Sequence, residues 1–144
     1  MYCYKYPHPA VTADCIVFFR EEAKISVLLI KRKNEPFKDS WAFPGGFVNI
    51  DESAEEAAIR ELKEETGLEV SKVEQVKAYS NPDRDPRERV ITIAFIAESK
   101  IMNVKGGDDA KEAKWFDISN LPPLAFDHST ILKDALKTIR QGDC

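Results

Sequence analysis

Gly46 to Leu68 reads GFVNIDESAEEAAIRELKEETGL, and it sets three carboxylates, Glu61, Glu64 and Glu65, within one helical turn just after the Gly45-Gly46 pair. Ser53 with Glu56 three residues on forms a capping box, the Ala/Leu-rich 54–66 stretch propagates, and Gly67 suits the left-handed residue that ends a helix. With Ala58 as the zero of a wheel turning about 100° per residue, Ala54 and Leu62 fall at about −40° and +40° and define the core-facing stripe. On the same wheel Glu65, Glu61 and Glu64 fall at about −20°, −60° and −120°, so two acids sit in or beside the apolar stripe. Carboxylates at i, i+3 and i+4 repel, and burying one unpaired is costly. A hard divalent cation removes both penalties, and Mg²⁺ favours a few carboxylates together with substrate phosphate oxygens. The stretch therefore points to hydrolysis of a phosphoanhydride.

Outward from this helix, Val11–Phe19 and Ile25–Lys31 are rich in β-branched and aromatic residues and flank a polar run, which predicts a hairpin. Short apolar stretches follow at 41–43 and 47–48, and 73–79 and 90–97 are further strands around the loop Ser80-Asn81-Pro82-Asp83-Arg84-Asp85-Pro86-Arg87. Trp115–Asp117 reads as a short strand at best, and after Leu121-Pro122-Pro123 the apolar spacing of Ile131, Leu132, Ala135, Leu136 and Ile139 predicts a closing amphipathic helix over 129–141. The expectation is an α/β fold, a mixed β-sheet with helices layered against it, in one domain spanning 1–144.

Twenty-one Lys+Arg against 25 Asp+Glu give a formal net charge of −4, without the cationic excess that holds a nucleic-acid backbone. No nucleic acid and no membrane partner is expected, since no apolar run approaches the ~20 residues of a bilayer span. A small anionic ligand screened by a metal ion fits the charge balance. Cys3, Cys15 and Cys144 match neither a disulfide framework nor a zinc pattern, which suits a reducing, cytoplasmic setting.

Gly46, five residues, Glu52, seven residues, then Arg60-Glu61-Leu62-x-Glu64-Glu65-x-Gly67-Leu68 resembles the complete signature of the Nudix hydrolases. The resemblance implies the Nudix α/β/α sandwich with its loop-helix-loop. It also implies attack of water on one phosphorus of a nucleoside diphosphate linked to another group. Glu61, Glu64 and Glu65, with the Gly45 carbonyl, would hold Mg²⁺ or Mn²⁺, which neutralises the diphosphate and lowers the pKa of a bound water. Arg60 lies four residues from both Glu56 and Glu64, so it can pair with either and fix a ligand's orientation, or act as a plain surface salt bridge. Glu52 is an outer ligand or a charge favoured at the helix start. Gly45 and Gly46 allow close approach of phosphates, or simply make a turn.

The general base varies within this family. Glu112 leads the candidates in the loop 106–112, followed by Asp108 and Asp109, with Glu65 as their rival. His8 and His128 are read as structural, and Trp41 and Trp115 as core or rim residues. Pro82, fifteen residues after Gly67, with the Asp-Pro-Arg run and the later Leu124-Ala125-Phe126-Asp127-His128, resembles the ADP-ribose pyrophosphatase branch; Arg84 and Arg87 would offer paired donors to a phosphate or ribose. That branch implies ADP-ribose cleaved to AMP and ribose 5-phosphate. The alternatives are a nucleoside triphosphate sanitising hydrolase and a non-catalytic ADP-ribose sensor. The resemblance further implies a homodimer, with Tyr2, Tyr4 and Tyr6 apolar enough to cover a partner.

Overall fold

The structure, a computed structural model, describes residues 3–104 and 110–141. Strands β1 (Ala10–Glu21) and β2 (Lys24–Arg32) form the expected hairpin, followed by β3 (Trp41–Ala42), β4 (Gly45–Phe47) and helix α1 (Ala54–Thr66). Then come β5 (Glu74–Tyr79), β6 (Val90–Glu98), β7 (Ala110–Asp117) and helix α2 (His128–Gln141). The ends of α1 follow the sequence closely. Ser53 and Glu56 make both halves of the capping box, and Gly67 closes the helix at φ 78° with its N–H on Lys63 O at 2.8 Å.

One mixed sheet joins all seven strands, with β1 and β6 parallel and the other pairs antiparallel. Side chains alternate across β1. Ile16 and Phe18 meet Ile131, Leu132, Ala135 and Ile139 of α2, while Ala13, Cys15 and Val17 meet Ala57, Ala58 and Leu62 of α1. The helices thus cover opposite faces, which is the layered α/β/α arrangement.

The sheet splits where the site forms. One edge of β1 is taken by β6 along residues 10–18, so its other edge is shared: residues 18–21 pair with β2 and residues 12–14 pair with β4. On β2, β7 takes one edge while β1 and then β3 share the other. The two strands of the first hairpin therefore diverge beyond their turn-proximal ends, and the 41–47 segment fills the opening.

Strand β7 is longer than its sequence suggests. Residues 110–114, Ala-Lys-Glu-Ala-Lys, lack β-branched and aromatic side chains, so pairing to β2 builds the strand where propensity does not. Glu112 consequently stands exposed on β7 instead of in a loop. Asp108 and Asp109 lie outside the described residues.

Candidate active site

At the split, β1, the 43–46 segment, α1, the 80–90 loop and the start of α2 enclose a cleft of about 500 Å³. Its acidic wall comes from α1 and β1. The wheel orders the three glutamates correctly: Glu65 is 4% exposed, the Glu61 side chain 14%, and the Glu64 side chain 58%. Glu61 and Glu65 line the cleft together with Asp14 of β1. Glu65 Oε1 accepts from Gly45 N–H at 2.9 Å. Burial first, with the neighbouring Glu61 and Asp14 carboxylates, pushes the Glu65 carboxyl up to about 9 against the opposing Gly45 bond.

Both glycines are required by these carboxylates. A methyl on Gly46 would stand 2.6 Å from Glu61 Cδ, and one on Gly45 would run into Asp14 Oδ1 and the Ala13 carbonyl. The bare loop lets acids from two elements close on it, a reason for Gly-Gly that a turn alone does not supply.

Arg60 organises the outer side. Its guanidinium donates to both Glu52 oxygens (3.0 and 2.7 Å), to Glu61 Oε1 (2.8 Å), to Glu64 Oε2 (3.2 Å) and to the Phe47 carbonyl (3.2 Å). The Glu52 bonds, the largest cause, hold the guanidinium well above the usual arginine range. Glu56, the other partner expected for Arg60, instead accepts from Ser53 N–H in the capping box. Glu52 also accepts from Asn49 N–H, so it joins the loop before α1 to the helix.

His128, the first residue of α2, is buried and faces the cleft. Phe43 N–H donates to its Nδ1 at 3.2 Å, which leaves the ring proton on Nε2, 3.4 Å from Asp14 Oδ2. These contacts tie the closing helix to Phe43 and to Asp14 at the site.

The arginines of the 80–87 loop are committed elsewhere. Arg84, its side chain 4% exposed, forks onto Asp127 at 3.0 and 2.6 Å. Arg87 forks onto Asp85 at 3.1 and 2.7 Å. Both still line the cleft, whereas Pro82 is exposed and does not. Arg32 differs from them. It lines the cleft half-buried, donates to the Pro36 carbonyl at 2.7 Å, and has no carboxylate within ion-pair distance among the described residues. Burial, with Arg87 nearby, holds its guanidinium below the usual range. Trp41 and Trp115 are structural, packing edge-on against Phe116 and Phe19.

Residues 8–135 match the NUDIX domain family. The chain belongs to the Nudix family. It is 54% identical over 133 residues to an ADP-ribose pyrophosphatase of Methanocaldococcus jannaschii, an overlap covering 92% of this chain and 76% of that protein. The NUDIX domain of Shewanella oneidensis NrtR complexed with ADP ribose matches at TM-score 0.87 and 29% identity, covering 93% of this chain and 90% of that one. A bifunctional NMN adenylyltransferase/ADP ribose pyrophosphatase from Francisella tularensis, complexed with AMP and Mn ion, matches at TM-score 0.82 and 30% identity, over 94% of this chain and 43% of that one.

Against the Nudix signature, the structure separates its acids by environment. Among the described residues no three His, Cys, Asp or Glu side chains form a ready-made metal cage, because Glu64 is turned to Arg60. The donors nonetheless fit a hard cation. Glu61 and Glu65 line the cleft beside Asp14, and a hard divalent ion would offset the crowding of their like charges there. Asp14 escaped the sequence reading although its signal was present: a lone acid inside the apolar strand segment Ala13–Phe19. Arg32 carried no comparable local signal, since only the fold brings it to the cleft, whereas Phe126 stands in the 124–128 stretch that resembles the ADP-ribose pyrophosphatase branch.

Proposed function

We propose that this Nudix chain is an Mg²⁺- or Mn²⁺-dependent hydrolase that cleaves ADP-ribose to AMP and ribose 5-phosphate. The observation that carries it is the 54% identity, over 92% of the chain, to an ADP-ribose pyrophosphatase. The cleft's chemistry agrees, since carboxylates and guanidinium groups line it together.

Glu61 and Glu65, with the Gly45 carbonyl and Glu64 once released from Arg60, would hold the cation. When bound, the ion supplies charge neutralisation of the diphosphate and activation of the attacking water. Arg60 keeps Glu61 aimed by bridging it to Glu52 and the Phe47 carbonyl. Arg32, without an acid partner among the described residues, is the donor set available to substrate phosphate oxygens. Arg84 and Arg87, each neutralised by an aspartate, stiffen the loop that walls the cleft. Proton removal from the attacking water falls to a carboxylate facing the cleft, a place that Asp14, Glu61 and Glu65 occupy and Glu112 does not.

Chromatography of the products after incubation with ADP-ribose and either metal ion is the direct test. AMP with ribose 5-phosphate is expected; pyrophosphate released from a nucleoside triphosphate, with ADP-ribose untouched, rejects the assignment for the sanitising alternative. The likeness to the ADP-ribose-bound NrtR domain favours a second reading as a sensor. Tight ADP-ribose binding without metal-stimulated turnover selects that one.

A further inference from the structure

Two phenylalanines, Phe126 lining the cleft and Phe37 packed on it from outside the lining, hold a backbone geometry that bulky residues avoid. Phe37 has φ 62° and Phe126 has φ 52°, left-handed values that are costly for such side chains and persist only where surrounding structure imposes them. Their loops lie far apart in sequence, yet the rings meet with centroids 4.8 Å apart. Neither belongs to the two core clusters, and Phe37 is 40% exposed, so core packing does not explain the strain. Phe126 lines the cleft, and the Arg32 guanidinium lies 5.0 Å from its ring centroid. A flat apolar surface beside a cation that has no acid partner among the described residues matches a heteroaromatic base carried on a ribose phosphate.

We infer that Phe37 and Phe126 form the seat of the nucleobase, with Arg32 positioned beside it for the phosphate carried on the same nucleoside's ribose. The inference rests on the reading of the cleft as a nucleotide site, and it adds which wall takes the base: the loop between β2 and β3 together with the residues before α2.

Calorimetric titration of AMP and of ribose 5-phosphate, in Mg²⁺, separates base from phosphate recognition. Phe37→Gly removes the ring and accepts the positive φ, so the melting temperature should hold or rise. AMP affinity should fall about tenfold, the scale of one base stacked on one ring, while ribose 5-phosphate is unaffected. Phe37→Leu, which keeps apolar volume without a flat face, should lose AMP affinity alike, and Phe37→Trp should retain it. Parent-like AMP affinity in the Gly and Leu variants overturns the assignment, as does equal weakening of both ligands or a parent that does not bind AMP. Should the parent bind AMP yet leave ADP-ribose intact, the proposed activity fails and these titrations still decide the seat.

Discussion

Glu65 holds an ionisable group where an ionised one is least welcome. Its carboxyl is buried, takes one backbone N–H, and faces two further acids. Its folded value of about 9 lies above the ordinary 4.5, so folding favours the protonated form. Stability is therefore complete below the ordinary value and declines as pH rises toward the folded one. In metal-chelated protein the melting temperature should fall steadily between about pH 5 and pH 9, and Glu65→Gln should flatten that decline. The same variant should lose several powers of ten in kcat with Mg²⁺, because an amide cannot replace a carboxylate toward the ion. Scanning calorimetry in chelator and steady-state kinetics read the two effects; an unaltered pH slope in Glu65→Gln removes this residue as the source of the strain.

At the level of elements, the Arg84 fork onto Asp127 joins the 80–89 loop to the residues preceding α2. Arg84 is almost fully covered, so its loss leaves Asp127 without its cation in a half-buried place. Arg84→Ala should cost about 2–4 kcal/mol, read as a lower urea midpoint, and Asp127→Asn placed in that background should recover part of it. A purely substrate-binding arginine would instead raise KM and leave the midpoint unchanged. This contrast shows where the sequence stops being legible. The capping box, Gly67 and the apolar stripe of α1 are local, so they read directly, and the stripe even ranks the exposure of Glu65, Glu61 and Glu64. Arg84 and Arg87 looked available because their aspartate partners are a matter of packing; Asp127 lies 43 residues from Arg84. Strand β7 reads short in the sequence for the same reason: its Ala-Lys-Glu-Ala-Lys start gains strand character only from β2. Asp14 could have been noticed, but only the pairing of β1 with β4 explains why an acid belongs there.

Across the whole molecule, two features extend beyond any one element. The first is the N-terminal arm, where Tyr4 and Tyr6 are 57% and 66% exposed. Light scattering should return a dimer mass, and Tyr4→Ser with Tyr6→Ser should shift it toward monomer; a monomeric parent rejects the arm as an interface. The second is the split sheet. Divergence of β1 and β2 admits the glycine loop, and the loop admits Asp14, Glu61 and Glu65 against backbone. The fold thus carries a cluster of like charge at the junction of its layers, a cost that a bound cation lowers in the folded state alone. At about 100 times its dissociation constant an ion binding only the native state contributes about 2.7 kcal/mol, which for a domain near this size raises the melting temperature by about 5–10 °C. Mn²⁺ or Mg²⁺ should produce that rise in the parent, and chelation should reverse it. In Glu61→Gln and Glu65→Gln the ion-free protein should start higher and respond less, because each lacks both the repulsion and a ligand. A parent whose melting temperature ignores saturating Mn²⁺ would falsify the acidic wall as the cation's seat, whatever its catalytic rate.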